Sequence, residues 1–376
     1  MKKIFICMSF IIFIATFSSF AAKNKNLYPG EKLINVDGFQ AVVKFKKGID
    51  TKPLVVLIPG FAHMARIFYG SPECNQKDFL EYWIHKEGYS FLGISYPIQN
   101  PAFTKVYPNY NITDWGKQTA DITSQYIKKY DLSKNVILVG WSMAGRIAPT
   151  FNIAAEKDKI NLNLFIGLSS APALPQCNPG NIIKEYKMAP NGLIRTHMFN
   201  NLFYKCILAQ NKLNGHQIIP KHIYMNQFMG NLPVELFGSP TRYNNGIWIN
   251  NFAEALKDSH AENISDYPVT GIIYNSGIYT SPVTGQLAIL NKSYWSQIID
   301  QKIYHLFMKN KKIGKLRPDK TDQIARITSS ATKNLSLSIY GSHFFFVGKK
   351  GAEKTAQDIT ELYKKVIKYN REVKTV

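Results

Sequence analysis

The chain has 376 residues, 45% of them hydrophobic and 19% charged, with four cysteines and a formal net charge of +21. That composition excludes wholesale disorder, and four cysteines without a Cys-x-x-Cys pair exclude a small disulfide scaffold and a zinc ribbon. The positive charge favours anionic surroundings, but the lysines are scattered as singles and pairs such as Lys46-Lys47, with no arginine cluster or RNA-binding signature, so nucleic acid is not an expected partner. A proteome rich in Lys, Asn and Ile explains the same charge without any partner.

Met1-Lys2-Lys3, the apolar run Ile4 to Phe17 and the small residues Ser19 and Ala21 form the three-part pattern of a secretory leader over residues 1–21. The run is short for a transmembrane helix, which needs about 20 apolar residues, so an uncleaved anchor is the secondary reading. Export implies a periplasmic or secreted protein in an oxidising compartment. There Cys177 and Cys206 are expected to pair, the other reading being that Cys74, Cys177 and Cys206 are free thiols.

Residues 39–46 alternate like a strand, and Leu54 to Ile58 is an apolar run suited to a strand buried on both faces. Phe79 to Lys86 reads as helix, Ser90 to Tyr96 as strand, and Asp114 to Tyr130 as a helix entered through Thr113 as N-cap. Val136 to Val139 is the next buried strand, followed by helix from Met143 and by a strand over Leu162 to Leu168. Residues 22–170 therefore predict an α/β architecture, a mostly parallel sheet with helices on both faces. Residues 171–265 lack periodicity and read as an insertion. Tyr267 to Tyr274 restores a strand, and residues 275–318 form a second irregular segment. A helix over 319–329, a strand over 335–340 and a closing helix over 352–372 complete a second core portion, residues 266–376.

Chemistry concentrates after the fourth of these strands. Gly140-Trp141-Ser142-Met143-Ala144-Gly145 is a strand–turn–helix with serine at its tip. A serine on so tight a turn needs small residues on either side, which Gly140 and Ala144 supply. The helix that follows aims its N–H groups at the hydroxyl and favours developing negative charge. Pro149, early in that helix, is expected to kink it.

On these residues the chain resembles an α/β-hydrolase. Leu57-Ile58-Pro59-Gly60-Phe61 resembles the strand and loop that supply an oxyanion hole, and Gly140 to Gly145 resembles the nucleophile elbow. Phe165 to Pro172 resembles the strand that leads into a cap, here residues 171–265, and Gly341-Ser342-His343-Phe344 resembles the catalytic-histidine loop. The elbow and the strand after it are also similar to small carboxylesterases acting on acyl methyl esters. The resemblance implies Ser142 as nucleophile, His343 as general base, and backbone N–H groups of Phe61 and Met143 as oxyanion donors. It implies no cofactor, and the other histidines lack metal-ligand spacing. His63 either lines the pocket or is a partly exposed loop histidine.

The sequence departs from that family at the third catalytic member. Thr280 stands where an acid is expected, and threonine cannot stabilise an imidazolium by charge. A relocated acid, a Ser–His dyad, or a non-catalytic binding protein of the same fold each accounts for this. Asp319, at the start of the helix between the last two strands, is the relocated candidate, although it also reads as a plain helix cap; Asp322, Asp300, Asp258 and Glu262 are weaker. Phe199, Phe203, Phe228, Met229 and Phe237 form either an apolar wall for an acyl chain or the insertion's own core. Lys205, Lys212 and Lys221 are placed to guide an anionic substrate. The expected activity is exported serine carboxylesterase chemistry on an acyl ester, anionic or lipid-like, with peripheral contact to an anionic envelope surface.

Overall fold

The computed structural model describes residues 25–173, 188–280, 282–309 and 318–375; the expected leader and Cys177 lie outside them. Its main sheet has eight strands: β1 (Glu31–Val36), β2 (Phe39–Lys46), β3 (Leu54–Ile58), β4 (Ser90–Ser95), β5 (Asn135–Trp141), β6 (Asn161–Leu168), β7 (Thr270–Gly277) and β8 (Ser336–Gly341). Their spatial order is β1-β2-β4-β3-β5-β6-β7-β8. β2 pairs antiparallel with β1 and β4, and every pairing from β4 across to β8 is parallel. Every residue of β3 and β4 is buried, because both faces of the sheet's centre are covered. β1 is a strand that the hydrophobic pattern does not predict. Asp37-Gly38, both at positive φ, close a two-residue turn that folds β1 back on β2.

Eight helices of seven or more residues are described: α1 (Leu80–Lys86), α2 (Ile112–Tyr130), α3 (Ala148–Lys157), α4 (His197–Asn214), α5 (Phe252–Ser259), α6 (Pro282–Lys309), α7 (Pro318–Asn334) and α8 (Lys349–Thr375). α1 packs with α8, and α2 with α3. α2 starts earlier than its expected cap: Asn111 accepts from Asp114 N at 2.8 Å, and Asp114 accepts from Asn111 N at 3.3 Å, a reciprocal capping box that displaces Thr113 from the role. Pro149 does not kink α3, because it lies in the first turn, where its missing N–H costs no hydrogen bond. The segment 275–318, expected to be irregular, contains the 28-residue α6. Trp295, Ile299, Ile303 and Phe307 recur every fourth position and are all buried, a helical stripe that Pro282 and Gly285 obscure in the sequence.

The insertion contributes α4, α5 and the hairpin Thr241–Asn244 with Ile247–Asn250. A buried ion pair ties it to the sheet edge and the loop after β3. Arg66 donates to both carboxylate oxygens of Glu31, at 2.8 and 2.6 Å, and to the backbone oxygens of Gln227 and Asn26. Tyr69 and the Tyr28 N–H complete the carboxylate's partners. Cys206 is a free thiol rather than one half of a bridge, and Cys74 is free as well; both are buried.

Removing one partner of a buried, fully hydrogen-bonded pair strands the other charge. Glu31→Gln or Arg66→Met is expected to lower unfolding free energy by about 3–5 kcal/mol, read from denaturant midpoints at constant m-value.

Candidate active site

The chain lays β4 on one side of β3 and β5 on the other, so strand order reverses at β3. No crossover covers the carboxyl ends of strands at such a reversal, and open α/β sheets bind ligands there. β3 delivers Pro59-Gly60-Phe61 to this edge, and β5 delivers Ser142.

Ser142 has a φ of 54°, in the left-handed region that a side chain with a Cβ rarely occupies. Its surroundings enforce that strain. A Cβ on Gly140 would lie 2.9 Å from Ala144 O, and one on Gly145 would lie 2.3 Å from Ala171 O. The Ala171 N–H donates to Ser142 O at 2.9 Å, so Gly145 is the gap through which the loop after β6 reaches the elbow. Ser142 itself opens a short 3-10 turn through Ile147, and the α-helix begins only at Ala148. The first N–H groups of such a turn, Met143 included, have no acceptor within it. Gly60 approaches from the opposite side: a Cβ there would be 2.6 Å from Ser142 Cβ. Phe61, the next residue, follows directly on this contact.

His343 lies in the loop after β8, and its Nε2 is 3.0 Å from Ser142 Oγ. The main chain around the ring is strapped in place. Trp141 Nε1 donates to His343 O at 3.1 Å, Ser342 Oγ donates to Cys206 O at 2.9 Å, and Gln210 accepts from Ser342 N at 3.0 Å while donating to Val347 O at 2.8 Å. Cys206 and Gln210 both belong to α4, so a helix of the insertion fixes the histidine loop. Burial holds the imidazole neutral and pushes its pKa down to about 4.

The acid that sequence reasoning sought for the other ring nitrogen is not found in the described structure. Among the described residues no carboxylate is hydrogen-bonded to His343. Asp319 is exposed in the first turn of α7 and is not brought to the histidine. Asp300 accepts from Thr332, Asp258 pairs with Arg242 at 2.7 Å, and Asp322 and Glu262 are exposed. Thr280 Oγ1 is instead 3.1 Å from Cys206 Sγ, and that thiol lies against the His343 backbone. A hydroxyl and a thiol, neither of them ionised, occupy the neighbourhood where an acid was expected.

His63 is fully buried, which overturns the reading of it as a partly exposed loop histidine. Its ring packs against Trp141, Phe203, Tyr224 and Phe344. Desolvation, aided by repulsion from His343, pushes its pKa down to about 3. Phe61 meets Phe199, Phe203 and Phe237 of the insertion at ring-centroid distances of 5.5, 6.0 and 5.4 Å, which gives the edge an aromatic wall. Phe228, Met229 and Leu236 are buried in the insertion's packing instead. Lys205, Lys212 and Lys221 are exposed. Arg146, buried behind the elbow, donates to Phe237 O and stacks near that ring, a contact with no signal in the sequence. Among the described residues no group of three or more His, Cys, Asp or Glu is gathered for a metal ion.

No family model matches the sequence, and no curated protein does. Solved structures resemble the chain in fold. A thermophilic esterase from Thermogutta terrifontis is 14% identical, with 89% of this chain and 98% of that chain covered and a TM-score of 0.49. A carboxylesterase of Nitrososphaera gargenis is 10% identical, with 92% and 99% covered and a TM-score of 0.45. A soluble variant of monoglyceride lipase from Saccharomyces cerevisiae is 12% identical, with 92% and 97% covered and a TM-score of 0.43. The strand order, the strained serine at the end of β5 and the histidine after β8 define an α/β-hydrolase fold without help from these likenesses.

The histidines separate by environment. Nε2 of His216 donates to Asp78 at 2.6 Å and Nδ1 donates to Asn214 O at 3.1 Å, which raises its pKa, whereas His63 and His343 are lowered. Folding thus disfavours protons on His63 and His343. Their contribution to stability is complete above the ordinary value of 6.5 and is lost as pH falls through about 4 and then about 3. His216 acts oppositely, its contribution being lost as pH rises through its raised pKa. NMR titration is expected to place His343 near 4 and His216 above 6.5, and thermal midpoints should fall as pH drops from 6.5 toward 4.

Proposed function

We propose that this chain is an exported serine hydrolase that cleaves carboxylic esters through an acyl-enzyme on Ser142. The observation that carries the proposal is the 3.0 Å contact between His343 Nε2 and Ser142 Oγ at a strained turn facing Gly60. Ser142 Oγ attacks the acyl carbonyl while His343 takes its proton. The carbonyl oxygen becomes an oxyanion beside the N–H groups of Phe61 and Met143, each such donor being worth about 10²–10³ in rate. His343 then protonates the departing alkoxide. Water, deprotonated by the same ring, releases the acid and restores Ser142.

The missing carboxylate has a kinetic cost. A histidine with a pKa near 4 is neutral and competent to accept a proton at neutral pH, but the imidazolium it becomes is poorly stabilised. Turnover is therefore slow, and the acid limb of kcat/KM lies near pH 4, well below the ordinary histidine value. The aromatic wall of Phe61, Phe199, Phe203 and Phe237 favours an apolar acyl group. The leader-like residues 1–21 support a periplasmic or secreted location, and the net charge of +21 with exposed Lys205, Lys212 and Lys221 supports an anionic or lipid-like ester and contact with an anionic envelope surface. A non-catalytic binding protein is the second reading, favoured by one observation: no described carboxylate reaches His343.

A fluorophosphonate probe separates the two. Labelling of the wild type that disappears in Ser142→Ala supports the hydrolase, whereas an unlabelled wild type supports the binding protein. His343→Ala should lower p-nitrophenyl ester turnover by about 100-fold or more. Asp319→Asn should leave it within about twofold, since this exposed helix-start carboxylate makes no hydrogen bond to the ring and its field is screened by solvent; a large loss there would restore Asp319 as the acid.

A further inference from the structure

The loop that carries the oxyanion donor is held at both of its peptide groups, and the holding groups are buried side chains that the reaction does not otherwise use. The N–H of Phe61 belongs to the peptide whose carbonyl is that of Gly60. A trans peptide is planar, so fixing the direction of the carbonyl fixes the N–H in the opposite direction. Tyr96 Oη, fully buried at the end of β4, donates to Gly60 O at 2.7 Å. The following peptide is fixed by His63, whose Nδ1 is 2.5 Å from Phe61 O. A carbonyl only accepts, so Nδ1 carries the proton, and the neutral ring offers Nε2 as an acceptor. Tyr224 Oη, 2.7 Å away, donates to it.

Tyr224 comes from the insertion, and its neighbours pair with the same loop. The Met64 N–H donates to Phe228 O at 2.8 Å, and the Gly230 N–H donates to Ala62 O at 3.0 Å. Between these contacts Ala62 sits at a φ of 61°, a left-handed conformation unfavourable for a residue with a Cβ and held by its surroundings. The strain, the two oriented peptides and the buried histidine converge on one residue, Phe61.

We infer that Tyr96 and the Tyr224–His63 pair are positioning residues that aim the Phe61 N–H at the oxyanion, which makes ordering of the insertion a condition for catalysis. None of the three touches substrate; each acts through a backbone peptide. The inference rests on the ester-hydrolase reading above.

Tyr96→Phe and Tyr224→Phe remove only a hydroxyl and test it directly in the full chain. Each is expected to lower kcat by about tenfold with KM within about twofold, and to weaken inhibition by an alkylboronic acid by the same factor, because its tetrahedral adduct on Ser142 uses the same N–H. A purely structural role lowers the thermal midpoint and leaves both quantities unchanged in the folded fraction; that result overturns the inference. His63→Gln, which keeps one donor and one acceptor, should retain more kcat than His63→Ala; equal loss counts against it. Should wild type neither turn over ester nor label with fluorophosphonate, the hydrolase reading fails, and the brace is judged by ¹⁵N NMR. A protonated Nδ1 and bare Nε2 on His63, lost in Tyr224→Phe, support it, and a ring titrating near its ordinary value of 6.5 refutes it.

Discussion

One backbone angle organises this molecule: Ser142 is held at a φ of 54° where β5 ends. The conformation is unfavourable for serine in isolation, so neighbours must hold it there. Gly140 yields to Ala144, Gly145 yields to the loop after β6, and Gly60 lies against the serine itself. Each of these glycines admits a backbone where a methyl group would collide. The strain thus propagates into three strands at once, and the carboxyl ends of β3, β5 and β6 become a single mechanical unit. The hydroxyl stands at its apex, and His343 meets it there at 3.0 Å.

The histidine is governed differently. In a complete triad, a carboxylate both orients the imidazole and offsets the charge it acquires. Here orientation and charge are uncoupled. Orientation comes from side-chain-to-backbone hydrogen bonds that tie the histidine loop to Trp141, Cys206 and Gln210, the last two of which lie on α4. Charge is left to the surroundings, and these are aromatic rings, a thiol and a hydroxyl. Desolvation without compensation accounts for the direction in which the pKa moves, with no other cause acting on this ring.

The parts legible in the sequence were those with strong local signals. β3 and β5 are apolar runs of strand length, and the serine turn combines small residues with a strand before and a helical segment after, so these elements announced themselves. The chain order of Ser142 and His343 was legible through the resemblance. What escaped depends on long-range contact. β1 carries only weak alternation and is stabilised by its hairpin partner and by Glu31 reaching Arg66. α6 was hidden by its opening proline and glycine, although its buried stripe is regular. The helix start at Asn111 escaped because Thr113 is an equally good capping residue by type, and only the reciprocal bond with Asp114 decides between them. The environment of His63 was illegible: nothing near it in sequence foretells that Tyr224 and Phe344 will enclose it. Asp319 failed as a relay for the same reason in reverse, since a position at a helix start says nothing about which loop lies within reach.

The guanidinium of Arg66 draws its partners from the start of the described chain, from the first strand and from the insertion, at Asn26, Glu31 and Gln227. This arrangement sets a boundary for proteolytic trimming. A cut beyond Glu31 would remove the carboxylate bonded to the buried Arg66 and free the first strand from the sheet. How far the amino end could be shortened is thus set by the electrostatics of one buried pair rather than by the recognition sequence of any protease.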